Sequence, residues 1–303
     1  MLLQSNMIKR ITASGGGDLE ARAGESLVIK RIECIPSTND TYITLSVDRV
    51  TVGYYRVKGK SGNHLSTNRA GYLKRNIMEY LTNKGINVSI PVEEGQTFTV
   101  SRYAEAGNVM IIYDRYSAGD ITRTQVNGSE CSIYTFLQYA GIGSTPSADG
   151  DFLLDTALTP AEFPDFPCGK VVPAKHVIEL LGIAACPFVN GEATPKNVAT
   201  TFFKMIKNRE VLFDTDRNGI PFDAQNAAAV ADSYGANFSL IAPYTEVLLN
   251  TNAITNGEPL MFDPVLKFEA GEELQAYLSL VFTEDPTWDS LEDVAFILRV
   301  KRQ

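Results

Sequence analysis

The residues most specifically spaced for chemistry lie in the segment DTDRNG at 214–219. Asp214, Asp216 and Asn218 alternate ahead of Gly219. A calcium loop sets oxygen ligands in this way, at its first, third and fifth positions before a sharp glycine turn. The second half of such a loop departs from the pattern. Gln225 stands where a bidentate Glu belongs, Pro221 diverts the chain, and Asp223 is the carboxylate available to substitute. Calcium is the one cofactor the sequence raises, with Asp214, Asp216 and Asn218 as its candidate ligands. The competing reading is a polar turn between Phe213 and Phe222, where Asp, Asn and Gly are the expected residue types.

Other chemistries find less support. A nucleophile activated by histidine needs a suitable His, and the chain has only His64, in a polar loop, and His176, at the start of an apolar run. No Gly-x-Ser-x-Gly elbow occurs. The pairs Glu93/Glu94 and Glu272/Glu273 could be imagined as glycosidase carboxylates. They fall at expected turns, and adjacent strand residues face opposite sides, so they read as solvated. The triplet Gly15–Gly17 lacks the Gly-Lys-Ser/Thr of a phosphate loop. Cys34, Cys131, Cys168 and Cys186 contain no Cys-x-x-Cys pair. A zinc site would need an unusual ligand set, and Cys34 and Cys186, within apolar runs, read as buried thiols. Trp288, in the acidic stretch EDPTWDSLED, reads as a packing residue, with an exposed recognition aromatic as the alternative. The expectation is a protein without a catalytic centre.

The elements that must position these residues are mostly strands. Thirteen Tyr, fifteen Phe and abundant Thr, Val and Ile suit a pleated, half-buried surface. The first half offers strands at 7–12, 27–35, 42–47 and 51–57, a polar loop at 58–68, a helix over 69–83 capped by Asn68 and ended by Gly85, then strands at 86–92, 97–103 and 109–113. In TYITLSV, Ile43, Leu45 and Val47 alternate with Tyr42, Thr44 and Ser46, the period of a strand with one buried face. SGGGD at 14–18 reads as a flexible joint. Residues 114–170 are rich in turn formers, and the domain junction is placed there. The second half offers strands at 177–185, 200–206 and 210–213, helices at 223–234 and 243–250, then strands at 264–268, 274–282 and 294–300.

Composition narrows function further. The net charge is −9 over 303 residues, and an acidic protein is poorly suited to gripping phosphates. Residues 1–150 carry 16 Lys+Arg and 14 Asp+Glu; residues 151–303 carry 11 and 22. The start of the chain lacks the apolar core of a signal peptide, and no run reaches the ~18 apolar residues of a spanning helix. A non-secreted, soluble protein is expected.

The two halves share a motif near their ends. VEEGQTF at 92–98 matches FEAGEEL at 268–274, with Glu93 opposite Glu269, Gly95 opposite Gly271 and Phe98 opposite Leu274. Each copy follows an expected helix and short strand, and each precedes a strand and a closing strand: VMIIYDRY at 109–116 and VAFILRVKR at 294–302. The glycine supplies a turn with positive φ. An internal duplication is the reading drawn, against shared turn chemistry between two β-rich halves.

On these features, the helix at 69–83, the matched turns and the paired closing strands, the chain resembles the double jelly-roll major capsid proteins of the adenovirus hexon lineage. The likeness is architectural, spans nearly the whole chain, and is greatest to the compact forms of bacterial and archaeal viruses with an internal membrane. It implies an all-β fold with a few helices: two consecutive jelly-roll barrels, at 1–125 and 169–303, joined by an irregular linker at 126–168, each with a helix before its last strands. It implies homotrimers forming pseudo-hexameric blocks in an icosahedral virion shell, built in the host cytoplasm. Partners would be neighbouring capsomers, minor capsid or penton proteins and an internal lipid membrane, with no sequence-specific nucleic-acid binding. Basic residues at both termini (Lys9, Arg10, Arg22, Arg299, Lys301 and Arg302) suit an anionic lipid surface, and equally an ordinary solvated strand end. The alternative is a two-module β-sandwich protein that binds glycans or a receptor. A two-barrel cupin enzyme is disfavoured, since its metal needs a histidine cluster.

Overall fold

The structure, a computed structural model, describes residues 1–11, 17–35, 41–57, 81–82, 85–103, 108–122, 132–140, 150–154, 156–157, 166, 171–185, 198–226, 234–239, 260–282 and 294–302. Among these the chain is almost entirely β-strand in antiparallel sheets; only Leu81 and Thr82 are helical. The chain divides into two compact units, Met1–Phe136 with Arg299–Gln303, and Leu137–Leu298.

The first unit holds β1 (Leu2–Ile11), β2 (Gly17–Glu20), β3 (Glu25–Ile35), β4 (Thr41–Val47), β5 (Val50–Val57), β6 (Ile90–Val92), β7 (Thr97–Tyr103) and β8 (Asn108–Ser117). They form one four-stranded sheet in the order β1-β8-β3-β6 and another in the order β2-β7-β4-β5. Strands alternate because one face of each sheet is apolar. In β4, Ile43, Leu45 and Val47 are buried while Thr44 and Ser46 between them are half-buried; in β8, Val109, Ile111 and Tyr113 are buried around Met110 and Ile112. Leu27, Ile29 and Val92 from the first sheet and Phe98 and Val100 from the second complete the core.

The later part of the chain contains β9 (Ser132–Ala140), β10 (Gly150–Leu153), β11 (Thr156–Ala157), β12 (His176–Ala185), β13 (Val198–Lys207), β14 (Glu210–Val211), β15 (Ile220–Asn226), β16 (Tyr234–Ser239), β17 (Leu260–Phe268), β18 (Leu274–Phe282) and β19 (Val294–Arg302). One sheet runs β11-β9-β19-β12-β17; the other runs β10-β18-β13-β15-β16, with β14 on β13. Their apolar faces meet where Phe203 of β13 lies 6.4 Å from Phe296 of β19. With β11, β14 and β16 set aside, the strand order repeats that of the first unit, β9 taking the place of β1 and β19 that of β8.

Local chemistry repeats with the topology. Asp48-Arg49 joins β4 to β5 with φ of 47° and 70°, and Asn208-Arg209 joins β13 to β14 with φ of 49° and 73°. Both are two-residue hairpin turns with two left-handed residues, the geometry whose twist matches the flanking strands.

Several expectations are corrected. Residues 223–234, expected to be helical, contribute Asp223–Asn226 to β15, and Tyr234 opens β16. The Ala-rich stretch favours a helix on propensity alone, but Phe222 and Ala224 pair across the ladder with Ser239 and Ala236, and tertiary pairing overrides propensity. The joint expected at 14–18 ends in β2, where Gly17 is needed for close packing: a Cβ there would meet Ile11 at 3.0 Å. The stretch 126–168, expected to be irregular, carries β9, β10 and β11. The strands expected at 86–92 and 210–213 are shorter, Ile90–Val92 and Glu210–Val211. The helix expected at 243–250 lies outside the described residues, as does that at 69–83 apart from Leu81 and Thr82.

Candidate functional site

The matched turns carry the same set of hydrogen bonds in each unit. In the first, Gly95 has φ of 80° and donates its N–H to the Ala21 carbonyl at 2.8 Å, while Ala21 donates to the Gln96 carbonyl at 2.9 Å. Gln96 donates to the Glu93 carbonyl at 2.9 Å, and the Gln96 side-chain oxygen accepts from Glu93 N–H at 2.9 Å. In the second, Gly271 has φ of 86° and donates to Val172 at 2.8 Å, and Val172 donates to Glu272 at 2.9 Å. Glu272 donates to the Glu269 carbonyl at 3.0 Å, and its carboxylate accepts from Glu269 N–H at 2.8 Å. The two turns thus repeat the same four hydrogen bonds.

The same turns engage one acid of each carboxylate pair. Glu94 accepts from Gly24 N–H at 2.6 Å. Glu272 accepts from Asn208 Nδ2 at 3.0 Å and pairs with Lys207 at 3.1 Å. Burial opposes its charged form, but the bonds from Glu269, Asn208 and Lys207 outweigh that and hold its pKa below the ordinary value. Lys207 also stands 4.7 Å over the Phe268 ring. Glu25 is similar: burial opposes its charge, yet bonds from the Arg115 guanidinium and Arg22 N–H lower its pKa. These acids brace turns and strand ends.

Asp214, the first candidate calcium ligand, closes its own loop. Its Oδ1 accepts from Asp216 N–H at 2.9 Å, and its Oδ2 from Asn218 N–H at 2.6 Å and Gly219 N–H at 2.8 Å. These N–H bonds lower its pKa, that of Gly219 contributing most. Both oxygens are thus turned to the backbone, while Asp216 and Asn218 are exposed. Among the described residues no cluster of three or more His, Cys, Asp or Glu could hold a metal ion. His176 makes a 2.9 Å contact from Nδ1 to the Ala174 carbonyl. His64, Trp288, Cys131, Cys168 and Cys186 lie outside the described residues, and Cys34 lies in β3.

The surface holds two features that sequence reasoning passed over. Phe213, beside Asp214, is 56% exposed, takes φ of 64°, and stacks on Phe262 with ring centres 5.1 Å apart and planes 4° apart. A bulky side chain held left-handed costs about 1–3 kcal/mol and marks a position worth a functional test. The only signal in the sequence is an aromatic at the lip of a polar turn. The other feature is β1, whose residues Leu2, Leu3 and Ile8 are exposed.

Charge separates more sharply by structural unit than by sequence half. The first unit carries 19 Lys+Arg and 13 Asp+Glu, net +6; the second carries 8 and 23, net −15. The first unit includes the basic end of β19, which the sequence halves assign elsewhere. Among the described residues no helix is long and apolar enough to cross a membrane. No protein-family model matches the chain, and no curated protein matches it.

Proposed function

We propose that this chain is a structural shell subunit: a double jelly-roll major capsid protein whose trimers act as pseudo-hexameric blocks in an icosahedral virion coat. The observation that carries the reading is the duplicated strand order. In the first unit β1 pairs with β8, β2 with β7, β3 with β6 and β4 with β5. That nesting is a long four-pair hairpin rolled over on itself, which is how a jelly roll is made. The second unit repeats the nesting with β10 on β18, β12 on β17 and β13 on β15. Two equivalent barrels in one chain give a trimer six similar blocks, and six can meet hexagonal neighbours.

The chain would then have a structural role without catalysis. It would be made in the host cytoplasm and held in the virion, with neighbouring capsomers and minor capsid or penton proteins as partners. Lys9, Arg10 and Arg22 with Arg299, Lys301 and Arg302 would supply the charge for an internal anionic membrane. The bracing of Glu94 by Gly24 N–H and of Glu272 by Glu269 N–H, Asn208 and Lys207 supports a structural role for these acids.

The test is the solution mass of the purified chain by light scattering, with micrographs of the same sample. Trimers, hexagonal sheets or shells support the reading; a monomer at every concentration counts against it. The alternative, a two-module glycan- or receptor-binding protein, draws on exposed Phe213, because sugar rings stack on aromatic faces. Glycan binding that is lost in Phe213→Ala would favour it.

A further inference from the structure

We propose that Lys30 and Asn6 join in an intramolecular amide bond, formed by the chain itself with Asp114 as proton carrier, which ties β1 covalently to β3 across β8. The proposal is independent of the shell-subunit reading.

Three side chains whose chemistry fits this bond meet at one level of the sheet β1-β8-β3-β6. Lys30 Nζ of β3 lies 3.2 Å from Asp114 Oδ2 of β8 and 3.4 Å from Asn6 Oδ1 of β1. Asp114 Oδ1 accepts from the Asn6 backbone N–H at 2.8 Å. One carboxylate therefore holds both reaction partners, the amine through one oxygen and the asparagine through the other. An amine, an amide carbonyl and a carboxylate are the nucleophile, electrophile and base of an amide exchange. Held at contact distance, they escape much of the entropic cost that slows the same reaction between free molecules.

The backbone on both sides of β8 is shaped for this meeting. Between Gln4 opposite Arg115 and Met7 opposite Tyr113, Ser5 and Asn6 share the single position of Asp114. On the other side, Ile29 is opposite Tyr113 and Arg31 opposite Ile112, which leaves Lys30 as the extra residue of β3. Both neighbours of β8 thus bulge at the same level, and Asn6 and Lys30 lie in the two bulges. A bulge re-aims a side chain, and bulges gather beside reactive sites. Asn6 takes φ of 53°, a conformation Asn adopts more readily than most residues. Asp114 follows core-facing Tyr113 in β8 and so belongs to the other face, yet it is only 6% exposed. A carboxylate kept from bulk water between an amine and an amide is placed to take and return protons.

The reaction balances without any further reagent. Lys30 gives a proton to Asp114, and the neutral Nζ attacks Asn6 Cγ, the carbon that carries Oδ1. As the Cγ–Nδ2 bond breaks, Asp114 returns its proton to Nδ2 and ammonia leaves. Nζ sheds one more proton, which departs with the ammonia as ammonium. A lysine ammonium and an asparagine carboxamide become one secondary amide and one ammonium ion, with no change of oxidation state. Asn6 and Lys30 are both exposed, so the ammonia has a path to solvent.

The bond serves a strand that apolar burial holds weakly, since eight of the ten residues of β1 are exposed. It joins residues 24 apart in the chain, and β1 then stays tethered to β3 even when it peels from β8. The second unit lacks the pair. The offset that sets Leu27 against Ile178 sets Lys30 against Leu181, which is buried. One such bond per chain is therefore expected.

The test is the intact mass of the purified full chain, folded and incubated, beside Lys30→Arg and Asp114→Asn, with circular dichroism to show that all three fold. Arg keeps the charge but stays protonated and does not attack. Asn at 114 keeps an acceptor for Asn6 N–H but is no proton carrier. The expected result is a wild type lighter than its sequence mass by one ammonia, with both variants at full mass. Trypsin should leave Met1–Lys9 of the wild type joined to Ala23–Arg31, because an acylated Lys30 is not cut. The wild-type result decides by itself whether the bond exists. Wild type at its full sequence mass overturns the proposal and leaves the three groups as a hydrogen-bonded clamp. An ammonia loss that persists in Lys30→Arg, or that maps to a succinimide at Asn218-Gly219 instead of to linked peptides, overturns it as well. Linked peptides in Asp114→Asn would overturn the role given to Asp114. None of these outcomes depends on assembly, so the shell reading stands or falls separately.

Discussion

Gly95 and Gly271 occupy the same place in two different units: each is left-handed, and each donates its N–H at 2.8 Å to the residue that leads into the third strand of its nest, Ala21 or Val172. The turn between the sixth and seventh strands is thereby tied to the approach to the third, which fixes how one sheet enters the other. A Cβ at either position would touch nothing within 4 Å. The cost of a side chain there is purely conformational. Gly95→Ala and Gly271→Ala should each destabilise by about 1 kcal/mol, seen as a lower urea midpoint, and Asn at either site should cost less. Equal midpoints for wild type and Ala would show that the turns relax freely.

Acid sensitivity follows from the bracing carboxylates. Glu25 and Glu272 are held below their ordinary pKa of 4.5. A lowered folded-state pKa stabilises the fold when the group is ionised. The contribution is complete above the ordinary value and is lost as pH falls through the lowered one. The urea midpoint should therefore fall on acidification below about pH 4.5. Arg115→Met, which removes the main hydrogen-bond partner of Glu25, should lower stability at neutral pH and make the acid loss shallower. An equally steep acid loss in that variant would rule out the Arg115–Glu25 pair as its source.

Ser26 is fully buried, and its Oγ has no hydrogen-bond partner among the described residues. The pairings Leu27 with Val92 and Ile178 with Phe268 place Ser26 at the position of Val177 in the second unit, where an apolar residue is buried. Ser26→Ala removes an unsatisfied hydroxyl and should stabilise by about 1 kcal/mol. A destabilised variant would point to a partner for Oγ.

The loop at 214–219 gives opposite expectations for its two aspartates. Asp214 holds three backbone N–H groups, so Asp214→Ala should lower the melting temperature and raise protease cleavage near Phe213. Asp216→Ala should do neither. Calcium should leave the wild-type melting curve unchanged, because both Asp214 oxygens are already engaged. A calcium-dependent rise that Asp216→Ala abolishes would restore the ion-binding reading.

Much of the architecture was readable from residue order. Period-two alternation marked β4, because a strand with one buried face must alternate. The match of VEEGQTF to FEAGEEL located two turns that repeat bond for bond, because a left-handed glycine followed by a bracing Gln or Glu is a local device. The misread stretches have one cause in common. The strand β10 owes its existence to a distant partner, β18, some 130 residues away (Gly150 opposite Leu280), and β15 and β16 to their pairing with each other and, through β15, with β13. An Ala-rich or turn-rich sequence carries no record of such a partner.

By itself the sequence determined that this is a β-rich chain with a repeated turn, an acidic balance and only two histidines, since alternation, turn type and charge are properties of neighbouring residues. Tertiary structure alone decided the nesting of the strands, the gathering of both basic ends into one unit of net +6 against one of −15, and the exposure of Ile8 and Phe213. Those depend on which strands meet across long separations, and the free energy of such meetings lies in surfaces that exist only once the chain has folded.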